Sequence, residues 1–277
     1  MADISAAQVR AFRERTGLPL MDCKRALEAT GGDEDAAIEQ LRREGEKLAE
    51  RRGDRETTFG RFGLCIGLDK SAGAIVELKC ESAPVTQNGE FIQLANDMAG
   101  ALAASGGVAS VDELLALPSP SKPGQTLGDQ RSELFNRIRE VFNVGRFARV
   151  EGATGGYSHN ATTVSGVLLV VEGGSDQAAK DVSMHVAACN PVALSKEEID
   201  PAVVEKEREI LRAAALNEGK PENIVDKMVE GRLRSFFAEK ALLEQPFVKD
   251  NAMTVAKYAD DNGMKIKQFI HWELGRE

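Results

Sequence analysis

The chain has 277 residues, 42% apolar and 29% charged, and 44 acids against 35 bases leave a net charge of −9. That apolar share supports a buried core and excludes disorder over most of the length, while the excess of acid argues against gripping nucleic acid directly. No apolar run approaches the ~20 residues of a membrane span, and Met1-Ala2-Asp3-Ile4-Ser5 lacks the form of a signal peptide, so a cytoplasmic location and a protein partner are expected.

Residues 1–45 read as three short helices. Ser5 caps the first, Thr16-Gly17-Leu18-Pro19 ends it, and Val9 and Phe12 sit one turn apart. The second starts near Leu20 with Cys23, Ala26 and Leu27 on one face. Asp33 caps the third, whose Ala37, Ile38 and Leu41 are expected to face inward. Residues 46–58 are almost wholly charged or polar and read as a linker, in part a solvated helical extension. From there to residue 150 the pattern is a first core half. Phe62 to Leu68 and Ala74 to Cys80 are strands, the latter with Val76, Leu78 and Cys80 on one face and Glu77 and Lys79 on the other. Helices follow from about Glu90 to Ala104 and Leu127 to Val141.

The hairpin-then-helix pattern recurs in residues 151–194, with strands between Tyr157 and Glu172 and a helix from Asp176 to Ala188. Residues 246–277 rejoin this half through a strand from Lys265 to Leu274. Between these segments, residues 195–245 form an inserted antiparallel helical hairpin, turned by Gly219-Lys220-Pro221. Its stripes are Val203, Ile210 and Ala214 on one helix and Ile224, Met228, Val229, Leu233 and Phe236 on the other. The fold class is therefore α+β: a three-helix N-terminal domain, a core of two similar antiparallel-sheet-plus-helix halves, and the inserted hairpin.

Enzyme chemistry has no foothold in the motifs. Cys23, Cys65, Cys80 and Cys189 form no C-x-x-C pair and read as reduced core residues. The histidines, His159, His185 and His271, fall on separate elements, and no P-loop, nucleophile elbow or H-E-x-x-H motif occurs. The pattern describes a binding protein, with no cofactor and no metal.

Three stretches resemble the bacterial translation elongation factor Ts family. They are Val9-Arg10-Ala11-Phe12-Arg13-Glu14-Arg15-Thr16-Gly17-Leu18-Pro19-Leu20-Met21-Asp22-Cys23-Lys24-Arg25-Ala26-Leu27, then His185-Val186-Ala187-Ala188, and Gly219-Lys220-Pro221 through Lys227-Met228-Val229-Glu230-Gly231-Arg232 to Gln245-Pro246-Phe247. The resemblance implies that residues 1–45 are a ubiquitin-associated-type (UBA-like) domain and that the hairpin is a coiled coil. It implies exchange of GDP for GTP on elongation factor Tu, by binding and not as an enzyme, through disturbance of the Mg²⁺ and phosphate contacts of that GTPase. In the family a loop after the second core strand, Cys-Gln-Thr-Asp-Phe-Val-Ala-Lys-Asn/Asp, does this. Here it reads Cys80-Glu81-Ser82-Ala83-Pro84-Val85-Thr86-Gln87-Asn88, so Ala83 and Pro84 stand for the acid and the aromatic wedge.

By that resemblance Ser82, Ala83, Pro84 and Val85 form the Mg²⁺-dislocating loop. Arg13, Leu20 and Met21 are N-terminal contacts, and His159 and His185 are core contacts to the partner. The chain ends soon after Phe269-Ile270-His271-Trp272-Glu273-Leu274, without the extra C-terminal module of some relatives. The altered loop keeps an alternative open: a scaffold or chaperone-like module that binds elongation factor Tu without fast exchange. A homodimer or a 2:2 complex is equally open.

Overall fold

The computed structural model describes residues 4–161, 163–219 and 221–276; Met1 to Asp3 and Lys220 of the expected turn lie outside them. The fold is α+β with antiparallel sheets. The chain divides into two compact units, Met1–Gly63 with Val76–Ala148, and Leu64–Ile75 with Arg149–Glu277.

In the first unit, α1 (Ala6–Thr16), α2 (Leu20–Ala29) and α3 (Glu34–Arg52) enclose Val9, Phe12, Cys23, Ala26, Leu27, Ala37 and Leu41. A capping box starts α1: Ser5 N–H donates to Gln8 Oε1 at 2.9 Å and Gln8 N–H to Ser5 Oγ at 3.3 Å. Gly17, at φ +68°, ends it. Asp33 caps α3 through the amides of Asp35 and Ala36. Ile38, expected inside, is exposed, because Ala37 and Leu41, four residues apart, already occupy the inward face. The charged run after residue 45 does not leave the helix; its Glu, Lys, Leu, Ala and Arg residues are good helix formers and carry α3 to Arg52.

Strands β1 (Phe59–Cys65), β2 (Ala72–Cys80) and β3 (Phe142–Glu151) form one sheet in the order β1-β2-β3. Between β2 and β3 come α4 (Gly89–Ala104), the short α5 (Val111–Ala116) and α6 (Leu127–Ile138). Phe91, Leu94, Met98 and Leu102 of α4 are fully buried, each contributing roughly 1.5–3 kcal/mol of transfer free energy. Against α6, α3 approaches so closely that a Cβ on Gly45 would lie 1.7 Å from Asn136 Oδ1, and Arg42 bonds Asp129 at 2.8 Å. Glu77 departs from the expected polar face of β2. It is buried and accepts the backbone N–H of Arg146 at 3.1 Å and its guanidinium at 3.0 and 3.2 Å.

In the second unit, β4 (Thr154–Asn160) and β5 (Val164–Gly173) pair antiparallel with Tyr157 opposite Val167 and His159 opposite Ser165. After β5 come α7 (Asp176–Cys189), α8 (Pro201–Asn217) and α9 (Glu222–Lys240). Short strands β6 (Pro246–Phe247) and β7 (Asp250–Thr254), then α10 (Val255–Asp261), lead to β8 (Met264–Glu273), which pairs antiparallel with β5. Val167, Leu169, Val171, Val182, Val186, Phe247, Val255 and Ile266 form the core here. Helices α8 and α9 pack through Val204, Leu211, Ala215, Val225, Val229, Leu233 and Phe237. The α8 stripe is thus off by one position throughout, whereas on α9 Val229 and Leu233 face inward as expected and Val225 and Phe237 take the places of Ile224 and Phe236. Val203-Val204 and Ile210-Leu211 are adjacent apolar pairs, and periodicity alone does not say which member faces in.

At Gly63 of β1 the strand lies close against α4: a Cβ there would lie 1.9 Å from the Ala95 carbonyl oxygen. A backbone oxygen has no rotamer by which to turn aside. Gly63→Ala is expected to lower unfolding free energy by about 1–3 kcal/mol in urea titration. At Gly89, where nothing lies within 4 Å of the added carbon, the same change is expected to be neutral or to stabilise by up to about 1 kcal/mol.

Candidate partner-binding site

The segment after β2 is a short, braced projection. As the chain leaves the sheet, its backbone donors lose their strand partners; the Glu140 carboxylate takes up one of them, and the chain's own Glu81 carboxylate reaches back to the turn before β3. Ser82 N–H and Oγ–H both donate to Glu140, at 3.0 and 2.6 Å. Glu81 accepts Val141 N–H at 2.7 Å and the Arg55 guanidinium at 2.8 Å. Burial alone would raise the Glu81 pKa, but the Val141 amide and Arg55 outweigh it and hold the carboxyl below its usual value.

One 3₁₀ turn, Ala83–Gln87, follows, with Pro84 in its first turn where a missing N–H costs nothing. Thr86 Oγ1 donates to the Ala83 carbonyl at 2.7 Å, and Arg61 donates to the Thr86 carbonyl at 3.0 Å. Asn88 then caps α4 through the amides of Glu90 and Phe91. Of the four expected loop residues, Ala83 and Pro84 are exposed at the tip, Ser82 is half-buried, and Val85 is buried at 8% exposure, serving as the anchor. Cys80, at the end of the strand, is buried; desolvation, with Glu140 adding to it, pushes its thiol up to about 12, so it is inert.

On the N-terminal helices, Leu20 and Met21 are 47% and 61% exposed and stand at the start of α2, while Arg13 is exposed on α1. The residue after Met21, Asp22, bonds the Arg139 guanidinium at 2.5 Å. Arg139 closes α6 at φ +65°, a left-handed conformation that costs a non-glycine residue about 1 kcal/mol. Its side chain serves Asp22 and its carbonyl accepts from Arg52 at 2.5 Å.

The two expected core histidines differ sharply. His159 on β4 is half-buried, with Nδ1 2.9 Å from Tyr157 Oη. His185 on α7 is 0% exposed, so the expectation of a direct partner contact there is corrected: it has no surface to offer. Its Nδ1 accepts Val248 N–H at 3.1 Å, which leaves Nε2 to carry the proton toward Gln245 Oε1 at 2.8 Å. It braces the return of the chain after α9. Cys189, expected in the core, is exposed at the end of α7.

Among the described residues no group of three or more His, Cys, Asp or Glu is placed to hold a metal ion, and no helix is long and apolar enough to cross a membrane. What the geometry provides is shape: a braced tip and an apolar patch. Sequence reasoning missed Glu81, Arg139 and Glu140. The partners of Asp22 and Ser82 lie 117 and 58 residues away along the chain, beyond any local pattern.

Residues 81–276 match the family described as "Elongation factor TS". The chain is 39% identical over 275 residues to elongation factor Ts of Methylococcus capsulatus, covering 98% of this chain and 92% of that one. It is 38% identical over 281 residues to elongation factor Ts of Thermobifida fusca, covering all of both.

The His185 brace has a pH signature. Burial lowers its pKa below 6.5, only partly opposed by the Gln245 hydrogen bond. Protonating Nδ1 removes the acceptor for Val248 N–H, so in the acid range the unfolded chain binds more protons than the native one. Stability is expected to be full above the unfolded value of about 6.5 and to fall as the pH drops below it. Urea midpoints between pH 7.5 and 5.5 check this. His185→Gln is expected to lower stability at pH 7.5 and flatten the dependence, leaving the share that comes from His271, which burial also lowers.

Proposed function

This chain belongs to the elongation factor Ts family, and on that premise we propose that it promotes exchange of GDP for GTP on elongation factor Tu. It does so by binding, without covalent chemistry of its own. The observation that carries the reading is the braced loop Ser82–Val85, whose exposed Ala83-Pro84 tip stands where the family has its Asp-Phe wedge. An exchange factor binds the nucleotide-free or distorted GTPase more tightly than the GDP-bound one, and GDP and factor weaken each other by one coupling free energy. A small rigid tip suits that task. Pro84 supplies less apolar area than an aromatic ring but loses little freedom on docking.

The finer organisation is part of the same proposal. Residues 1–45 act as a UBA-like domain presenting Arg13, Leu20 and Met21, and 46–58 connect it onward, beginning as the last turns of α3. Residues 59–150 and 151–194 with 246–277 are the two core halves, and 195–245 the inserted antiparallel coiled-coil hairpin. His159 contributes to a core contact, whereas His185 supports it from within. The protein works in the cytoplasm beside the translation machinery.

The test is release of a fluorescent GDP analogue from the cognate elongation factor Tu. Substoichiometric chain is expected to accelerate release, less so as Mg²⁺ rises. Pro84→Ala is expected to lower the maximal release rate about two- to fivefold by loosening the tip. Tight binding without acceleration would identify a scaffold instead, and unchanged rates in Pro84→Ala and Ala83→Asp would remove the loop from the mechanism.

A further inference from the structure

We propose that Glu140 is a positioning residue for exchange, acting through Ser82 to hold the Ala83-Pro84 tip, with its neighbour Arg139 tying the Leu20-Met21 patch to the same turn. The inference rests on the exchange reading above.

Three consecutive residues between α6 and β3 each brace a different part of the candidate surface. The Arg139 guanidinium takes Asp22, the Glu140 carboxylate takes Ser82, and the Val141 amide donates to Glu81. The turn is itself fixed, since α6 ends at Ile138 and β3 begins at Phe142. The distance between tip and patch is therefore set by a segment that belongs to neither.

Glu140 makes no ion pair to a Lys or Arg among the described residues; both of its oxygens are spent on Ser82. Hydrogen bonds to an ionised acceptor are shorter and stronger than neutral ones. Two of them on one residue fix both the backbone direction and the side-chain rotamer of Ser82. Without Glu140 the Ser82 N–H at the base of the tip has no replacement acceptor within the brace. A tip free to swing still touches a partner but delivers less of its binding energy to the distorted nucleotide site. The loss therefore falls on the maximal rate and not on the affinity.

The experiment measures GDP release from elongation factor Tu over a range of factor concentrations for wild type, Glu140→Ala and Glu140→Gln. Amide hydrogen exchange at Ser82, Ala83 and Val85 of the free proteins runs alongside. Glu140→Ala is expected to lower the maximal rate about tenfold. Its half-saturating concentration should stay within about twofold of wild type, and the loop amides should lose protection. Glutamine keeps one acceptor oxygen for the Ser82 amide and offers an N–H₂ to the hydroxyl, so Glu140→Gln is expected to retain most of both.

A wild-type rate and wild-type protection in Glu140→Ala would overturn the proposal. So would equal impairment of the two variants, or a loss confined to the half-saturating concentration. If wild type itself gives no acceleration, the exchange reading falls. Loop protection then decides separately whether Glu140 holds the tip.

Discussion

Where β2 leaves its sheet, backbone donors lose their strand partners, and the carboxylates of Glu140 and Glu81 take up the groups around the exit. The candidate surface depends on this. An unpaired, partly buried N–H costs about 1–3 kcal/mol, so the exit from the sheet stays ordered only while an acceptor is supplied. Because the Glu140 acceptor and the Val141 donor both come from the residues that join α6 to β3, the loop inherits the rigidity of both elements. With Val85 buried below and Asn88 starting α4, the exposed tip ahead of Val85 is only the length of Ala83-Pro84. Little chain remains to be ordered when a partner arrives, which keeps the entropic cost of docking small.

The same economy explains why a nucleotide-exchange reading needs no reactive side chain. Cys80 lies beside the loop and is held neutral by burial, and the nearby carboxylates are spent on structure. Displacing a bound nucleotide is a matter of differential affinity, and a factor that binds both forms of its partner equally shifts nothing. A surface that is stiff in one shape favours the partner conformation that fits it. In this account four acids around the surface are scaffolding: Glu77 inside the first sheet, Glu81 and Glu140 at its exit, Asp22 at the helical patch.

Elements set by local chemistry were legible in the sequence. Ser5 and Asp33 announce their helices because an N-cap is a short-range hydrogen bond, and Gly17 ends α1 because glycine accepts positive φ cheaply. Features that depend on distant partners were not. Strand β3 went unread because Arg146 and Arg149 interrupt its apolar pattern, and the carboxylate that takes Arg146 inside, Glu77, sits 69 residues earlier. On α8 the whole seam lies one position from the expected stripe because apolar residues come in adjacent pairs there, while on α9 Val229 and Leu233 hold their expected places and only the flanking pairs differ. Of the candidate site, the loop and the exposed Leu20-Met21 pair were visible through family resemblance. Their braces were not, since Glu140 and Arg139 lie in no motif and look like ordinary surface charge.

The two units stabilise their chain reversals by different physics, and this separates their sensitivities. In the first unit the loop after β2 hangs on the carboxylates of Glu140 and Glu81. The Glu81 carboxyl, already held down by Val141 and Arg55, protonates only in more acid solution than a free one would. In the second unit the return after α9 hangs on a neutral imidazole. There His185 joins Gln245 to Val248 with no charge to screen. Phe247 adds to it by stacking on Tyr258 at a centroid distance of 4.1 Å. Salt therefore acts chiefly on the charged pairs, and the first protons added below neutrality act chiefly on the second unit. Under the proposed exchange function the loop must keep its shape, and the first kind of brace serves that better. Its Glu81 carboxyl is held in the ionised form by the same Val141 and Arg55 groups that brace the turn.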